Sequence, residues 1–484
     1  MIAEKKKMTK SKVKAKPKFT EEQLKFIKHK GTDSVILSST AGSGKTASVT
    51  GRLLWLLNRK VRADKIICFS FTNDAVDELR ERIKNPKVHV TTIHSFCMSV
   101  LAKAKKFKKL AEWHFFVNWF KKKYAPTKKT PIEERIRYRR MCEKLEEEGD
   151  YIASQISKYK VLKFENTQTR VPDFYNAYTK FLIETRSRDF VDMLVEVYKL
   201  IGTRTFEDNC EYKWDYVFID EYQDTSALQM RILLALKAKI YHLIGDKNQS
   251  IYGFSGANCM MIEKLLKEAK PTVEYKLSIN FRSDINIVEH ANGYSDLKAV
   301  ANSTDPGDIK YRLIDEKQLF ELIKEKPVTI LARTNKVIKD LELKFLAKRL
   351  PIRYTNLLNE DELDIIRHGK SVTPKINRKL KHIFSVAGKA REIIKFIDDN
   401  KDSNSFITTI HKSKGREWPT CVVINSISPE VLAYNSIELE KKELKKISFD
   451  PEDIDDLESR NIHYVAVTRP KNELYFMIYD IDEL

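Results

Sequence analysis

The ten residues SSTAGSGKTA, Ser38 to Ala47, constrain the fold of this chain more than any other stretch. They follow an apolar run (Val35, Ile36, Leu37) and precede Val49, Leu53, Leu54 and Leu57, which recur at helical spacing. A strand passed to a helix through a turn of small residues is the geometry in which backbone N–H groups and a helix N-terminus hold phosphate. In that reading Gly42 and Gly44 let the backbone approach the ligand, and Ser43 continues the cradle. Lys45 reaches the β- and γ-phosphates and Thr46 offers a hydroxyl to Mg²⁺. The strict GxxxxGK[ST] pattern has glycine at position 39, where this chain carries Ser39. The loop predicts an α/β fold and a nucleoside triphosphate, and leaves open what the energy is used for.

The segment YVFIDEYQDT, Tyr216 to Thr225, adds the second half of a hydrolytic site. An apolar strand ending in Asp-Glu serves magnesium-dependent phosphate hydrolysis. Asp220 holds the metal, directly or through water, and Glu221 orients and deprotonates the attacking water. Alone, such a pair is usually a solvated strand end. About 175 residues after a phosphate loop, it points to a Mg²⁺-dependent nucleotide hydrolase.

Short β-rich runs alternate with helical ones at 35–38, 66–70, 88–90, 216–219 and 242–244, which predicts a parallel sheet covered on both faces. From about 101 to 212 the rhythm gives way to a helical stretch rich in lysine and aromatics (Trp113, Phe115, Phe116, Trp119, Phe120, Tyr124), read as an inserted helical subdomain. Alternation resumes at 272–277, 328–331, 407–409, 421–424 and 474–478, suggesting a second α/β lobe, interrupted by a polar, low-aromatic patch near 357–403. The expected boundaries are a basic disordered tail at 1–18 and a first lobe at 19–105 and 212–277, with the helical insert at 106–211. A second lobe follows at 278–353 and 404–484, around a small insert at 354–403.

Charge narrows the choice of partner. The 484 residues carry 88 Lys and Arg against 68 Asp and Glu, a net charge of +20 that favours a polyanion. Eight lysines and one acid fall within the first 18 residues, a stretch too polar to fold. It serves either as a solubilising tail or as a tether to nucleic acid. Six scattered cysteines without a CxxC pair argue against a disulfide framework or zinc site and for a reducing, cytoplasmic setting. No apolar run is long enough for a membrane span.

Further segments decide which kind of hydrolase this is. In chain order they are FTEEQLKFI from Phe19, AGSGKT from Ala41, FSFTNDAVDELRERI from Phe69, TTIHSFC from Thr91 and DEYQDTSALQ from Asp220. IGDKNQSIYGFSGA from Ile244, NFRS from Asn280, ITTIHKSKGREWP from Ile407 and YVAVTRPKNEL from Tyr464 complete the series. Over most of its length, and in the same order, the chain resembles superfamily 1 DNA helicases of the UvrD/Rep/PcrA type.

The resemblance implies two RecA-like parallel-sheet motor lobes, a helical subdomain inserted in the first, and ATP as the nucleotide. It assigns Gln249, Arg282 and Arg469 to the γ-phosphate, the two arginines reaching across from the second lobe so that closure completes the site. It places Gln23 on the adenine edge, Phe281 on the adenine face and Glu417 on the ribose. The family usually closes the other face of the base with an arginine after its Gly-Lys-Thr; this chain has Ala47. Nucleotide discrimination is therefore expected to relax, unless another side chain such as Arg52 fills the gap.

Phe71, Thr72, Asn73, Thr92, His94, Tyr252 and Phe254 fall on the family's DNA-contacting positions, with Phe190 in RDFVDML as a weaker addition. Aromatics for stacking and donors for the backbone are what sequence-independent single-strand binding needs. Phe254 stands where tryptophan is usual, and Ser255 replaces a common arginine. Only about fifty residues occupy the place of the family's large accessory domain, and no partner-binding tail is expected after Arg469. This is a compact form, of the kind a phage or another small genome encodes. The implied activity is ATP- and Mg²⁺-dependent 3′→5′ translocation on single-stranded DNA by a monomer, with unwinding at single-strand–duplex junctions, in replication, repair or recombination.

Overall fold

The computed structural model describes residues 19–106, 108–164, 169–253, 257–358, 360–368, 374–424, 457–477 and 479. The basic segment 1–18, Phe254 and Ser255 lie outside the described residues. Strands Ser34–Ser39 (β1), Ile66–Ser70 (β2), His89–Thr92 (β3), Tyr216–Asp220 (β4), Ile240–Gly245 (β5) and Thr272–Leu277 (β6) form one sheet in the order β3-β2-β4-β5-β1-β6. Every pair is parallel. Alternate residues of a strand face opposite sides. Ile36, Ile67, Phe69, Val217, Ile219 and Leu243 accordingly join one apolar core, while Val35, Leu37, Ile66, Cys68, Phe218 and Ile244 join another. Burial on both faces is why these strands read as continuous apolar runs. The run 272–277 pairs with β1 and so closes the first sheet. Its edge position explains the polar alternation of Thr272, Glu274 and Lys276.

Asp308–Leu313 (β7), Thr329–Ala332 (β8), Phe406–Thr409 (β9), Trp418–Ile424 (β10) and Pro470–Met477 (β11) form a second parallel sheet, ordered β7-β11-β10-β8-β9. It divides its side chains the same way. Ile330, Ala332, Ile407, Val422 and Ile424 lie in one core, and Leu331, Cys421, Val423, Leu474 and Phe476 in the other. The sequence reading had no strand at β7, because DIKYRL is polar and sits at a sheet edge, where little apolar pattern is required. These are two RecA-like lobes.

Between β3 and β4, helices Trp113–Lys123, Ile132–Glu147, Gly149–Phe164 and Tyr175–Glu184 pack around Phe116, Phe120, Ile152, Tyr178 and Phe181. Parallel pairing of Lys109–Leu110 with Ser187–Arg188 brings the entry and exit of this insert side by side. In the second lobe, the stretch read as a polar patch contains helices Glu360–His368, Pro374–Ala387 and Ala390–Asp399. They are amphipathic: Leu380, Ile383 and Ala387, then Ile393 and Ile397, recur every three or four residues and sink into the core beneath β8.

Candidate active site

After β1 the chain turns through Thr40–Gly44 and enters the helix Lys45–Asn58. Gly42 and Gly44 hold φ values of +71° and +79°, the left-handed region that glycine reaches without a Cβ clash. Space adds to the requirement. A Cβ on Gly42 would lie 2.7 Å from the Arg282 Cβ, and one on Gly44 would lie 2.8 Å from the Gln23 Nε2. Gly44 provides no side-chain cap, so the first N–H groups of the helix remain directed at the loop, the arrangement that binds anions. The buried Ser43 donates its hydroxyl to the Thr40 carbonyl at 2.8 Å and braces the turn.

Gln23 begins as a helix-capping residue. Thr20 accepts from the Gln23 N–H, and the Gln23 Oε1 accepts from the Thr20 N–H in return. Its Nε2 donates to the Ser43 carbonyl at 3.2 Å, tying the first helix to the phosphate loop. Phe281 lies close to Gly44 and is exposed. Arg52 does not fill the gap left by Ala47. It faces inward, fully buried, and donates to the Ile27 and His29 carbonyls. Burial pushes its pKa down to about 10. Helical spacing explains the difference, since Arg52 lies on the core face beside Val49, Leu53 and Leu56.

β4 delivers Asp220 and Glu221 opposite the loop, and Lys45 Nζ pairs with Glu221 Oε1 at 2.9 Å. Glu221 adopts φ +55°, a strained value for a non-glycine residue of the sort that collects at functional sites. Burial opposes the charge on Lys45, but Glu221, Asp246 and Asp220 outweigh it and raise the pKa. Burial and neighbouring Glu221 push Asp220 up to about 7, only partly offset by Lys45. Burial also acts on Glu221, yet Lys45 and Lys414 hold its carboxyl below the ordinary range. Thr46 and Asp220 supply hard oxygen donors, and the uncompensated acid at Asp220 is the charge a divalent cation would neutralise. The residues present fit Mg²⁺ shared with phosphate oxygens.

The second lobe contributes the other wall. Arg282 donates to Glu417 at 2.7 Å and to the Thr468 carbonyl at 3.0 Å; Glu417 also pairs with Lys471 at 2.7 Å. Arg469 is 1% exposed, and its hydrogen bonds go to neutral oxygens: the Val465 and Arg416 carbonyls, the Thr468 hydroxyl and, at 3.4 Å, the Gln249 Oε1. Burial and nearby Arg282 push its pKa down to about 9. Gln249 in turn donates to Asp246 at 2.7 Å. The structure thus brings Lys45, Asp220, Glu221, Gln249, Arg282, Arg469 and Glu417 to one cleft between the lobes. A residue that sequence reasoning passed over joins them. Lys414, partly buried, pairs with Asp224 at 2.6 Å and donates to the Gln249 carbonyl at 2.6 Å. Burial raises Asp224 to about 6 despite Lys414. Both residues lay inside quoted segments, but nothing in either segment names a partner about 190 residues away.

A separate surface forms at the ends of β2 and β3. Phe71 and Tyr252 rings meet at 4.9 Å, and Lys414 Nζ stands 5.4 Å from the Tyr252 ring centre. His94 meets the exposed Phe190 edge-on at 4.9 Å. Thr72 and Thr92 cap the helices Asn73–Ile83 and Ile93–Lys103, accepting from the Ala75 and Ser95 N–H groups. Thr92 is buried, so in this arrangement it shapes the surface, whereas Phe71, Thr72 and Asn73 are exposed on it.

The cleft and the surface beside it are what a nucleotide-driven nucleic-acid motor requires, and comparison with known proteins agrees. The UvrD/REP helicase N-terminal domain matches residues 19–270, and the UvrD-like helicase C-terminal domain matches residues 360–480. The chain belongs to the UvrD/REP helicase family. Relatives within the family include a probable DNA helicase of Mycoplasma pneumoniae, 25% identical over 92% of this chain and 81% of its own length. A probable DNA helicase II homolog of Mycoplasma capricolum is 25% identical over 70% of this chain, and the ATP-dependent DNA helicase PcrA of Staphylococcus epidermidis 28% over 66%. The chain spans about half the length of these last two, 52% and 48%. Among the described residues no helix is long and apolar enough to cross a membrane.

Proposed function

We propose that this member of the UvrD/REP family is an ATP- and Mg²⁺-dependent motor that moves 3′→5′ along single-stranded DNA and unwinds duplex at single-strand junctions. The observation that carries the reading is one charged cluster split between two lobes. Lys45, Asp220, Glu221 and Gln249 stand on the first, Arg282 and Arg469 on the second. Phosphoryl transfer depends on positioning and on neutralising charge at the γ-phosphate, so a site divided this way works only when the lobes are together.

Lys45 and the loop N–H groups bind the triphosphate tail. Mg²⁺, held by Thr46 and Asp220, would neutralise phosphate oxygens. Glu221, kept ionised by Lys45 and Lys414, accepts a proton from the attacking water, and Gln249, held by Asp246 and Arg469, orients that water. Arg469, buried and hydrogen-bonded to neutral oxygens among the described residues, supplies positive charge to the cleft that faces Glu221. Phe281 stacks on the base, Gln23 reads its edge and Glu417 holds the ribose. Hydrolysis separates the lobes, and the Phe71–Tyr252 and His94–Phe190 pairs form stacking platforms over which the strand advances.

The test is ATP hydrolysis with and without single-stranded DNA or RNA. Strong stimulation by DNA is expected, and an unstimulated rate overturns the motor reading. Glu221→Gln should bind ATP without turning it over; hydrolysis at the native rate would remove Glu221 as the base. A second reading, a translocase that clears proteins from single strands without unwinding, is favoured by the small insert being fused to the second lobe. Tailed duplexes and protein-blocked single strands separate the two.

A further inference from the structure

Tyr464 stands at the head of YVAVTR on the helix Leu457–Val467 of the second lobe. Its ring is buried in that lobe's core beside Ile462, Val465 and Phe476. Its hydroxyl, however, leaves the lobe. It accepts from the Ala41 backbone N–H in the phosphate loop at 3.3 Å and donates to Asp246 Oδ2 at 3.3 Å. Asp246 is 1% exposed; the same Oδ2 accepts from the Gln249 Nε2, and the carboxylate lies in the field of Lys45.

We propose that Tyr464 is a positioning residue through which the second lobe senses and holds the phosphate loop, setting the loop and the Asp246–Gln249 turn in register only when the lobes are together. A hydroxyl is suited to this because it donates and accepts at once, joining the backbone N–H of one lobe's loop to a carboxylate on the neighbouring turn. Neighbouring contacts converge on the same turn. Asn248 Nδ2 donates to Ser295 at 3.0 Å, Asn461 Nδ2 donates to the Ser250 carbonyl at 2.9 Å, and Lys414 holds the Gln249 carbonyl. Of these groups Tyr464 alone also reaches the loop that carries Lys45. Its consequence for rate rests on the ATPase reading; its consequence for the loop does not.

Tyr464→Phe removes the hydroxyl and keeps the ring. The first measurement is hydrogen–deuterium exchange in the full chain without nucleotide. Peptides covering Ala41 should exchange about tenfold faster, since a buried N–H loses its acceptor, while peptides from β1 and β5 are unchanged. The second is kinetic. DNA-stimulated kcat should fall about tenfold with KM for ATP changed far less, and single-strand affinity without nucleotide and the thermal midpoint should be retained. Unchanged loop exchange overturns the proposal whether or not the protein hydrolyses ATP. Loss of thermal midpoint and strand affinity together with kcat also overturns it, because Tyr464 would then be only a core residue. Should Tyr464→Phe fail to fold, Asp246→Ala, which leaves the hydroxyl no acceptor on that turn, offers the same exchange measurement at the other end of the hydroxyl, and normal exchange at Ala41 there counts against the proposal. Wild-type protein inert toward ATP would overturn the motor reading while leaving the exchange result to decide this one.

Discussion

Phe116 and Ile383 are both almost fully buried, each in an insertion, but they lie in cores of different ownership. Phe116 belongs to a cluster formed by the four inserted helices of the first lobe, rich in aromatic rings and joined to the lobe through the neighbouring pair Lys109–Leu110 and Ser187–Arg188. Ile383 belongs to the second lobe's own core, beside Ile330, Val422 and Ile424. One insertion is a body attached to the lobe, and the other is part of the lobe's wall. A body with its own core can reorient as a unit, whereas a wall cannot move without opening the core behind it.

Excision draws the contrast most sharply. Replacing residues 111–186 by a short Gly-Ser linker should leave a folded protein that still hydrolyses ATP. The interactions lost include the pairing of Lys160 with Asp189 and Asp192 and the packing of Phe164 against Tyr198, at the border of the first lobe's core rather than within it. Replacing residues 360–399 strips Leu363, Leu380, Ile383, Ile393 and Ile397 from the core and should give insoluble protein without ATPase activity. Soluble yield and hydrolysis measured on both variants decide it. Equal survival of the two would erase the distinction.

Single truncations test the same difference in milder form. Ile383→Ala should cost about 2–5 kcal/mol and Phe116→Ala about 3–5 kcal/mol, as large-to-small changes in packed cores do. The location of the loss should differ. Ile383→Ala should lower the transition of the second lobe and with it ATP turnover. Phe116→Ala should melt the helical insert alone, with ATP hydrolysis in the absence of DNA retained. Calorimetry followed by domain-specific hydrogen exchange checks both.

Much of the site was legible because its chemistry is local. A phosphate loop needs small residues and a lysine at a strand–helix turn, and Asp220-Glu221 closes an apolar strand; both can be read within ten residues. Pairings across the cleft could not be read this way. Lys414 with Asp224, Arg469 with Gln249 and Tyr464 with Asp246 join residues about 190 to 220 positions apart, and only the docking of two sheets brings them together. The small insert hides its role in the core for another reason. Its aromatic poverty suggested a polar patch, yet a short amphipathic helix needs only Leu380, Ile383 and Ala387 on one side to be bound into a core. Arg52 shows the converse, a charged residue held on a buried face by backbone carbonyls.

How the small insert is fastened provides a subtler test. Glu342, fully buried on the helix Asn335–Ala347, accepts from the Asn356 and Leu357 N–H groups at 3.0 and 2.6 Å and from Asn356 Nδ2 at 2.8 Å. Glu342→Gln places an amide donor against these donors and should cost about 1–3 kcal/mol. Burial outweighs the hydrogen bonds and holds the Glu342 pKa above its ordinary value. The folded chain therefore takes up a proton that the unfolded chain releases over the interval between the two pKa values. Wild-type stability relative to Glu342→Gln should be lowest above the raised pKa, grow as the pH falls through it, and level off below the ordinary glutamate pKa. Denaturation of both proteins across that interval gives the sign. A gap that narrows on acidification would mean that the hydrogen bonds, not burial, dominate at Glu342.

The smallest expected effect is an absence of dependence, and it follows from the same fused wall. An accessory domain that swings can hold a helicase monomer in check until a second molecule relieves it. Here the helices Glu360–His368, Pro374–Ala387 and Ala390–Asp399 are bound into the core under β8, so among the described residues no separate body occupies that place to swing or to clamp a duplex. Unwinding of a 3′-tailed duplex in a single turnover should then saturate at one protein per strand, without a lag as protein is raised. The amplitude should fall steeply with duplex length, because little holds the junction between steps. Activity that appears only above one protein per strand would show that assembly supplies what the fused wall lacks. Preference for a 5′-tailed duplex would overturn the polarity while leaving the comparison of the two insertions intact.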